Sequence, residues 1–458
     1  MHEPLPSKPN KQSNDIYEMG ALAGASAITA LHFNMIVVAL PNIASDLVVP
    51  PDVLQWVVTA FSLAYSGFLL AGGRAADVIG RRKVFLAALL VFALGSALGA
   101  LANRTSVLLI GRVIQGLGGA LLFPSTLSLL NNLFPEGPAR HRAFGIWSLV
   151  SSSGATFGAL AGGALVHALG WRSVFIINLP MVALTALCAI LSLPADQPRA
   201  GRVSWCGACA AAGTVTAFMT LLAQAGKWGV LSPSSGAVLC LGLISAGLSF
   251  RIEKKSSYPL VDRAVFGEGT VSMAMVLAAL FMGTFMMLPY FLTLLFQQTY
   301  EYDPVKAGLA FLVPSLSIMA GTQLAARIVA RTGVRTLLAT SFALGAVGTL
   351  WLGFELNASA NYPRLVLPLV LFGIGQGGAW NGIWIFAGLN VSRARQGIAS
   401  GLVSTSMWIG GAAGLTILVR ISETQGSSSG HTNVMAVFGT AAGAMLFAAV
   451  VVVLWRRD

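Results

Sequence analysis

One cation stands where lipid is expected. Arg112 lies inside an apolar run that extends from about residue 106 to 133, and a guanidinium in hydrocarbon is costly unless it faces a cavity or a partner. Gln115 follows three residues later, so on a helix the two share a face. The chemistry open to such a pair is hydrogen bonding and charge pairing with a buried ligand, not bond cleavage. There is no H-E-x-x-H, and of the 16 acidic residues only Glu355 falls in an apolar run, near its end, so no paired carboxylates stand ready to activate water. An enzyme is therefore not expected. Neither is a metal: Cys206 and Cys209 form C-x-x-C without a second pair or a nearby His, and with Cys188 and Cys240 they read as small packing residues. No cofactor is expected either. Gly373-Ile-Gly375-Gln-Gly377-Gly378 has the look of a phosphate loop, but no strand precedes it and it sits in mid-run, where helix packing or a broken-helix cavity is the better reading.

Small-molecule sites are apolar and aromatic with few polar groups. By position in the runs, Trp147, Met286, Tyr290, Trp380, Asn381 and Trp384 are the candidates for a cavity wall, with Gln115 beside Arg112. Trp380 and Trp384 are four apart and share a face.

The elements that must position these residues follow from composition. The 458 residues are 56% hydrophobic and 10% charged, with a mean hydropathy of +0.77, whereas soluble chains carry about 25% charged residues. A helix of roughly 20 apolar residues crosses a bilayer because its backbone bonds are satisfied within the segment. Fourteen such runs are legible: 19–41, 53–73, 84–102, 106–133, 143–168, 173–194, 204–225, 233–250, 270–296, 307–326, 336–356, 365–389, 396–419 and 434–454. An even count puts both ends on one side. All Lys and Arg then fall on that side, except Arg104, Arg172, Lys227, Lys306, Arg364, Arg420 and the intramembrane Arg112, which by the positive-inside rule makes it the cytoplasm. The net charge of +12 is thus a topology signal, and no nucleic-acid partner is expected. Residues 1–18 read as a polar cytoplasmic tail and the first run as a signal-anchor helix that is not cleaved. Connections are too short to hold a soluble catalytic domain. Asn103 and Asn357 open N-x-[ST] acceptor patterns on the outer side.

The chain also repeats itself weakly. Arg142-Ala-Phe-Gly145 followed by Gly154 and Gly158 is echoed by Arg395-Gln-Gly397, Gly401, Gly410 and Gly414, and Gly80-Arg81-Arg82 is echoed by Gly333-Val334-Arg335. Such repeats mark transporters built from paired bundles. They divide the chain into a six-helix bundle at 19–194, an inserted two-helix hairpin with flanking loops at 195–269, a second six-helix bundle at 270–455 and a cytoplasmic end at 456–458. The fold class expected is an all-α integral membrane protein of fourteen transmembrane helices.

Three motifs carry a family resemblance. Gly73-Arg-Ala-Ala-Asp77-Val-Ile-Gly80-Arg81-Arg82-Lys83 is similar to the cytoplasmic signature of the major facilitator superfamily, with Ala75 and Val78 departing from its Leu and Arg. Gly154-Ala-Thr-Phe-Gly158-Ala159-Leu-Ala-Gly162-Gly163 is similar to the antiporter signature, with Ala159 in place of its Pro, and Arg112-Val-Ile-Gln115-Gly116 is similar to the R-x-x-Q-G motif. The layout of six, two and six resembles the drug:proton antiporter-2 branch. The resemblance implies a latch in which Asp77, set by Gly73, Gly80, Arg81 and Arg82, meets the N-terminus of the thirteenth span, where a helix dipole favours negative charge. It implies close packing at Gly154, Gly158, Gly162 and Gly163, since small residues let helix backbones approach.

The same branch carries an Asp in its first span, and alignment on Ala39-Leu40-Pro41 puts His32 there. His32 and Arg112 are accordingly the candidates for proton coupling, imidazole having its unperturbed pKa near neutrality. The function implied is alternating-access export of a drug or other small organic molecule, coupled to protons, from a multi-pass monomer in the cell membrane with both termini cytoplasmic. With no opposing acid, the substrate is expected to be neutral or anionic. An importer or facilitator of a small metabolite is the alternative, and a non-transporting membrane sensor a remote one.

Overall fold

The structure is a computed structural model. It describes residues 11–455 apart from 55, 135–136, 196–203, 229–231, 256–262, 267–269, 287, 295, 297–299, 303–305, 307–308, 357–361, 393–394 and 424–433. Every long element among the described residues is a helix: α1 (Lys11–Asp46), α2 (Trp56–Ile79), α3 (Arg81–Ala100), α4 (Thr105–Leu133), α5 (Pro138–Leu169), α6 (Asn178–Ser192), α7 (Trp205–Trp228), α8 (Pro233–Lys255), α9 (Val271–Thr284), α10 (Leu312–Thr332), α11 (Val334–Glu355), α12 (Tyr362–Gly388), α13 (Gln396–Glu423) and α14 (Val434–Leu454).

Twelve of the described helices are long and apolar enough to cross a membrane. The fourteen expected runs each coincide with a helix, but two do not count among the twelve. The run at 143–168 lies within α5, where several side chains fall outside the described set. The run at 270–296 is split, α9 ending at Thr284 and helix resuming at Leu288–Leu294. Position 289 is a proline, which has no N–H to offer the carbonyl of Phe285, the C-terminal cap of α9. Of the polar tail expected at 1–18, residues 1–10 lie outside the described residues and the rest belongs to α1, which begins at Lys11. The extra turns continue the helix past its apolar stretch.

Glycine sets the helix-to-helix approach both among α1–α6, the first set of six described helices, and among α9–α14, the last set of six. In the first set, α5 lies on α1: a Cβ on Gly154 would fall 2.3 Å from Ala30 Cβ, one on Gly158 2.8 Å from Leu31 O, and one on Gly162 2.9 Å from Met35 Cα. Gly163 differs, with only Val38 at 3.9 Å, because it is turned away from the α1 contact. In the last set α13 lies on α9 in the same way, Gly410 against Ala279 O at 2.2 Å and Gly414 against Gly283 Cα at 2.3 Å. The turns repeat too. α2 passes into α3 through Gly80 (φ 113) and α10 into α11 through Gly333 (φ 79), both in the left-handed region that glycine alone enters without strain.

The hairpin stands apart. α7 touches α2, where a Cβ on Gly67 would fall 3.2 Å from Ala212 Cβ, and α13, where Thr416 Oγ1 donates to Leu222 O at 2.9 Å. α8 exposes Leu239, Leu241, Leu243, Ile244, Leu248 and Phe250, a face suited to lipid.

Candidate substrate cavity and buried cation

A cavity of about 230 Å³ opens between the two sets of six helices. From the first set, α1 contributes Thr29, Phe33 and Asn34, α2 contributes Phe61 and Tyr65, and α4 contributes Phe123. From the last set, Phe281, Met282 and Met286 face Gln376 and Trp380 of α12 and Ser404, Met407 and Trp408 of α13. No charged side chain lines it among the described residues. Its polar groups are hydroxyls and amides, and its rings meet across the gap, Trp408 lying 5.3 Å from Tyr65 and 6.1 Å from Phe33. A flat apolar molecule with a few hydrogen-bonding groups is what such a wall can hold.

Three indoles pack at one end of the cavity. Trp147 of α5 stacks on Trp380 of α12 at 6.0 Å and 7°, and meets Trp384 edge-on at 6.1 Å. Phe123 closes the group against Trp384 at 5.2 Å. The indole nitrogens of all three tryptophans are buried without an acceptor.

The cation lies beside the cavity, sealed from it. Arg112, His32 and Gln115 have no exposed surface at all. Arg112 Nε donates to Val57 O at 2.6 Å, and Nη1 donates to Gln115 Oε1 at 3.0 Å and to His32 Nε2. Gln115 Nε2 donates in turn to Ser96 Oγ at 2.8 Å. The Asn178 amide lies 3.0 Å from His32 Nδ1. Because a guanidinium can only donate, Nε2 is the accepting nitrogen, which suits a neutral imidazole, since an imidazolium has no lone pair to offer there. Phe61, Phe92 and Phe175 ring the histidine at 5.5 to 6.0 Å.

The residues singled out from the sequence therefore divide. Met286 and Trp380 line the cavity. Trp147 and Trp384 form the indole floor behind Trp380. His32, Arg112 and Gln115 come together, but one layer away from the cavity. Asn381 ties α12 to α10 by donating to Thr322 O at 3.2 Å, and Tyr290 is half exposed, at 49%, outside the cavity. Sequence reasoning missed Phe33, Asn34, Phe61, Tyr65, Phe123, Gln376 and Trp408. Asn34 and Gln376 carried a usable signal, being polar residues inside apolar runs.

At one end the two sets of six close on each other. Asp77 Oδ1 accepts from Gly397 N at 3.1 Å and Oδ2 from Ile398 N at 3.0 Å, so a carboxylate of α2 satisfies two open donors at the start of α13. Arg81 Nη2 stands 3.7 Å from Asp77 Oδ1, and Arg81 Nε donates to Ser128 Oγ at 2.6 Å. A Cβ on Gly73 would fall 2.0 Å from Gly397 O, which is why the approach requires glycine.

Paired helix sets around a cavity, in a multi-pass membrane protein, are the architecture of a class of membrane transporters. The sequence profile of the Major Facilitator Superfamily matches residues 22–415 and, overlapping it, 273–458, and the chain belongs to that superfamily. It is 34% identical to the puromycin resistance protein pur8 of Streptomyces alboniger over 411 residues, 88% of this chain and 80% of that protein. It is 33% identical to the cephamycin export protein CmcT of Amycolatopsis lactamdurans over 404 residues, 86% of this chain and 82% of that one. Its fold matches the human organic anion transporter MFSD10 with a TM-score of 0.69 at 17% identity, over 97% of this chain and 100% of that one. The protein is thus a transporter, not an enzyme, and its relatives include antibiotic-resistance and export proteins of the kind the sequence motifs implied.

Proposed function

We propose that the protein exports a lipophilic small molecule lacking positive charge by alternating access, and that the conformation described is the outward-facing one. The observation that carries this reading is the aromatic, uncharged cavity between the two sets of six, combined with closure of those sets at the Asp77 end. Relatives named for puromycin resistance and cephamycin export support the direction of transport. In this reading all fourteen helices cross the bilayer, 19–194 and 270–455 act as rocking bundles, 195–269 is an inserted hairpin, and the Asp77 end with both termini is cytoplasmic. Asp77 and its neighbours Gly73, Gly80, Arg81 and Arg82 form the inner latch.

Proton coupling is assigned to His32. Protonation of its Nε2 removes the lone pair that Arg112 uses and sets two cations side by side, so proton uptake forces the pair apart. Uptake by everted vesicles under an imposed pH gradient tests the whole reading, with matched anionic, neutral and cationic compounds competing. Gradient-driven accumulation of neutral or anionic members is expected, and a strong preference for quaternary ammonium compounds would refute the substrate assignment. A His32→Ala variant whose flux keeps its pH dependence would remove His32 from the mechanism.

A further inference from the structure

Phe61 has two kinds of neighbour. It lines the cavity with Tyr65, on which it stacks at 5.6 Å and 20°. Arg112, which does not line the cavity, has its guanidinium carbon over the same ring, 4.5 Å from the centroid. One ring therefore separates the transport cavity from a fully buried cation. That cation is incompletely satisfied: Nε and Nη1 have acceptors, but Nη2 is buried with none, and no carboxylate is paired with Arg112 among the described residues. An unpaired charge and an orphan donor at the same buried group are each unfavourable. The ring face offers partial relief through cation–π attraction, which a carboxylate, meeting the guanidinium with charge-assisted hydrogen bonds, exceeds.

We infer that Phe61 is a movable partition, and that behind it Arg112 forms a hidden cationic compartment of the substrate cavity that takes the carboxylate of an aromatic acid. The inference rests on the export reading and narrows its substrate class. The flat body of the acid lies among Phe33, Tyr65, Phe123 and Trp408, while its carboxylate displaces the Phe61 ring toward the cavity space and bonds Arg112 Nη2. No covalent step is involved. The substrate anion supplies the counter-charge that the chain lacks.

The test uses purified full-length protein in lipid nanodiscs and a matched pair of probes, anthracene-2-carboxylate and anthracene-2-carboxamide, with binding read from anthracene fluorescence anisotropy. Wild-type protein is expected to bind the carboxylate more tightly than the carboxamide. Phe61→Ala opens the compartment and raises the carboxylate-to-carboxamide affinity ratio about tenfold. Phe33→Ala, which removes a cavity ring that does not cover Arg112, weakens both probes together and leaves the ratio within about twofold of wild type. A ratio unchanged in Phe61→Ala overturns the inference. Carboxamide binding without carboxylate binding, in both wild type and Phe61→Ala, also overturns it, while leaving the apolar-cavity reading intact. If wild type binds neither probe, both readings fall. Should Phe61→Ala lose carboxamide binding altogether, Phe61→Leu is judged by the same ratio.

Discussion

Two seams join the helix sets at the Asp77 end, and they are built differently. Where α2 meets α13, backbone lies against backbone: a Cβ on Gly397 would fall 2.2 Å from Gly73 O and 2.8 Å from Asp77 Cγ, and one on Gly401 3.0 Å from Leu69 O. The Asp77 carboxylate then caps α13 through two N–H donors. Where α5 meets α10, a Cβ on Gly145 would meet only Ala326 Cβ, at 2.6 Å, and Gln323 Nε2 donates to Gly145 O at 3.3 Å. Ala330, which precedes the turn glycine Gly333 by the same three residues that separate Asp77 from Gly80, is exposed. One seam therefore carries charge and directional bonds, the other packing and a neutral bond. Elsewhere the repeats perform one task with different chemistry. Arg140 donates to Asn131 O and Phe134 O around the end of α4 at 2.8 and 3.1 Å, and Gln396 donates to Gly388 O and Val391 O around the end of α12 at 3.2 and 2.9 Å. The geometry of the repeat persists where a helix end must be tied, and the charge is kept at only one of the two seams.

The sharpest way to break this comparison is to add one carbon to each seam. Gly397→Ala forces a methyl into the Gly73 carbonyl and the Asp77 carboxyl, and overpacking of this kind costs about 1–3 kcal/mol. Substrate flux in everted vesicles should fall about tenfold or more, and a cysteine placed at Ser400 should become reactive to a water-soluble maleimide. Gly145→Ala meets a single methyl that a small helix shift accommodates, so its flux should drop much less. Equal losses in the two variants would show that the seams are energetically alike. Next in size is Asp77→Asn, which keeps one carboxyl-type acceptor but removes the charge that favours a helix N-terminus, a loss of about 0.5–2 kcal/mol by the standard for capping residues. It should loosen the α2–α13 seam in the same maleimide assay without abolishing flux. Ala330→Asp, at the exposed counterpart, should stay within about 0.5 kcal/mol of wild type in thermal stability. A clear stabilisation there would mean that α5 was waiting for the cap α13 already has.

Much of this architecture was legible in the sequence because helix ends and close approaches are marked by distinctive residues. Gly80 and its echo Gly333 marked turns, the family resemblance gave Asp77 its partner helix, and Gly154 and Gly158, echoed by Gly410 and Gly414, marked close packing without saying against which helix. Arg112 and Gln115 were recognisable as polar residues in an apolar run and His32 from the family alignment, and the three do come together. The cavity wall was not legible in the same way. In a membrane helix the lipid face, the packing face and the cavity face are all apolar, so periodicity does not say which way Phe33, Phe61 or Trp408 points. Tyr290 shows the consequence: a ring at a plausible depth turned to the outside. The split after α9 was missed for the opposite reason, because a hydropathy run continues past Thr284 although the regular helix does not.

The smallest expected effect comes from the other end of the molecule and limits what an aspartate alone can do. Asp46 accepts from Trp171 Nε1 at 2.9 Å and Arg172 Nη1 at 2.7 Å, tying the end of α1 to the turn after α5. Both partners belong to the first set, and the pair is exposed, with 39% of the Arg172 side chain and 47% of the Asp46 side chain open to solvent. Asp77, by contrast, is 2% exposed as a side chain and bonds across the seam. Exposed pairs are weak and are screened further by salt. Asp46→Asn should therefore leave flux and Ser400 accessibility at wild-type levels, with a thermal shift that shrinks as ionic strength rises. If Asp46→Asn instead slowed transport as much as Asp77→Asn, the importance of Asp77 would lie in its charge and not in its position between the two helix sets.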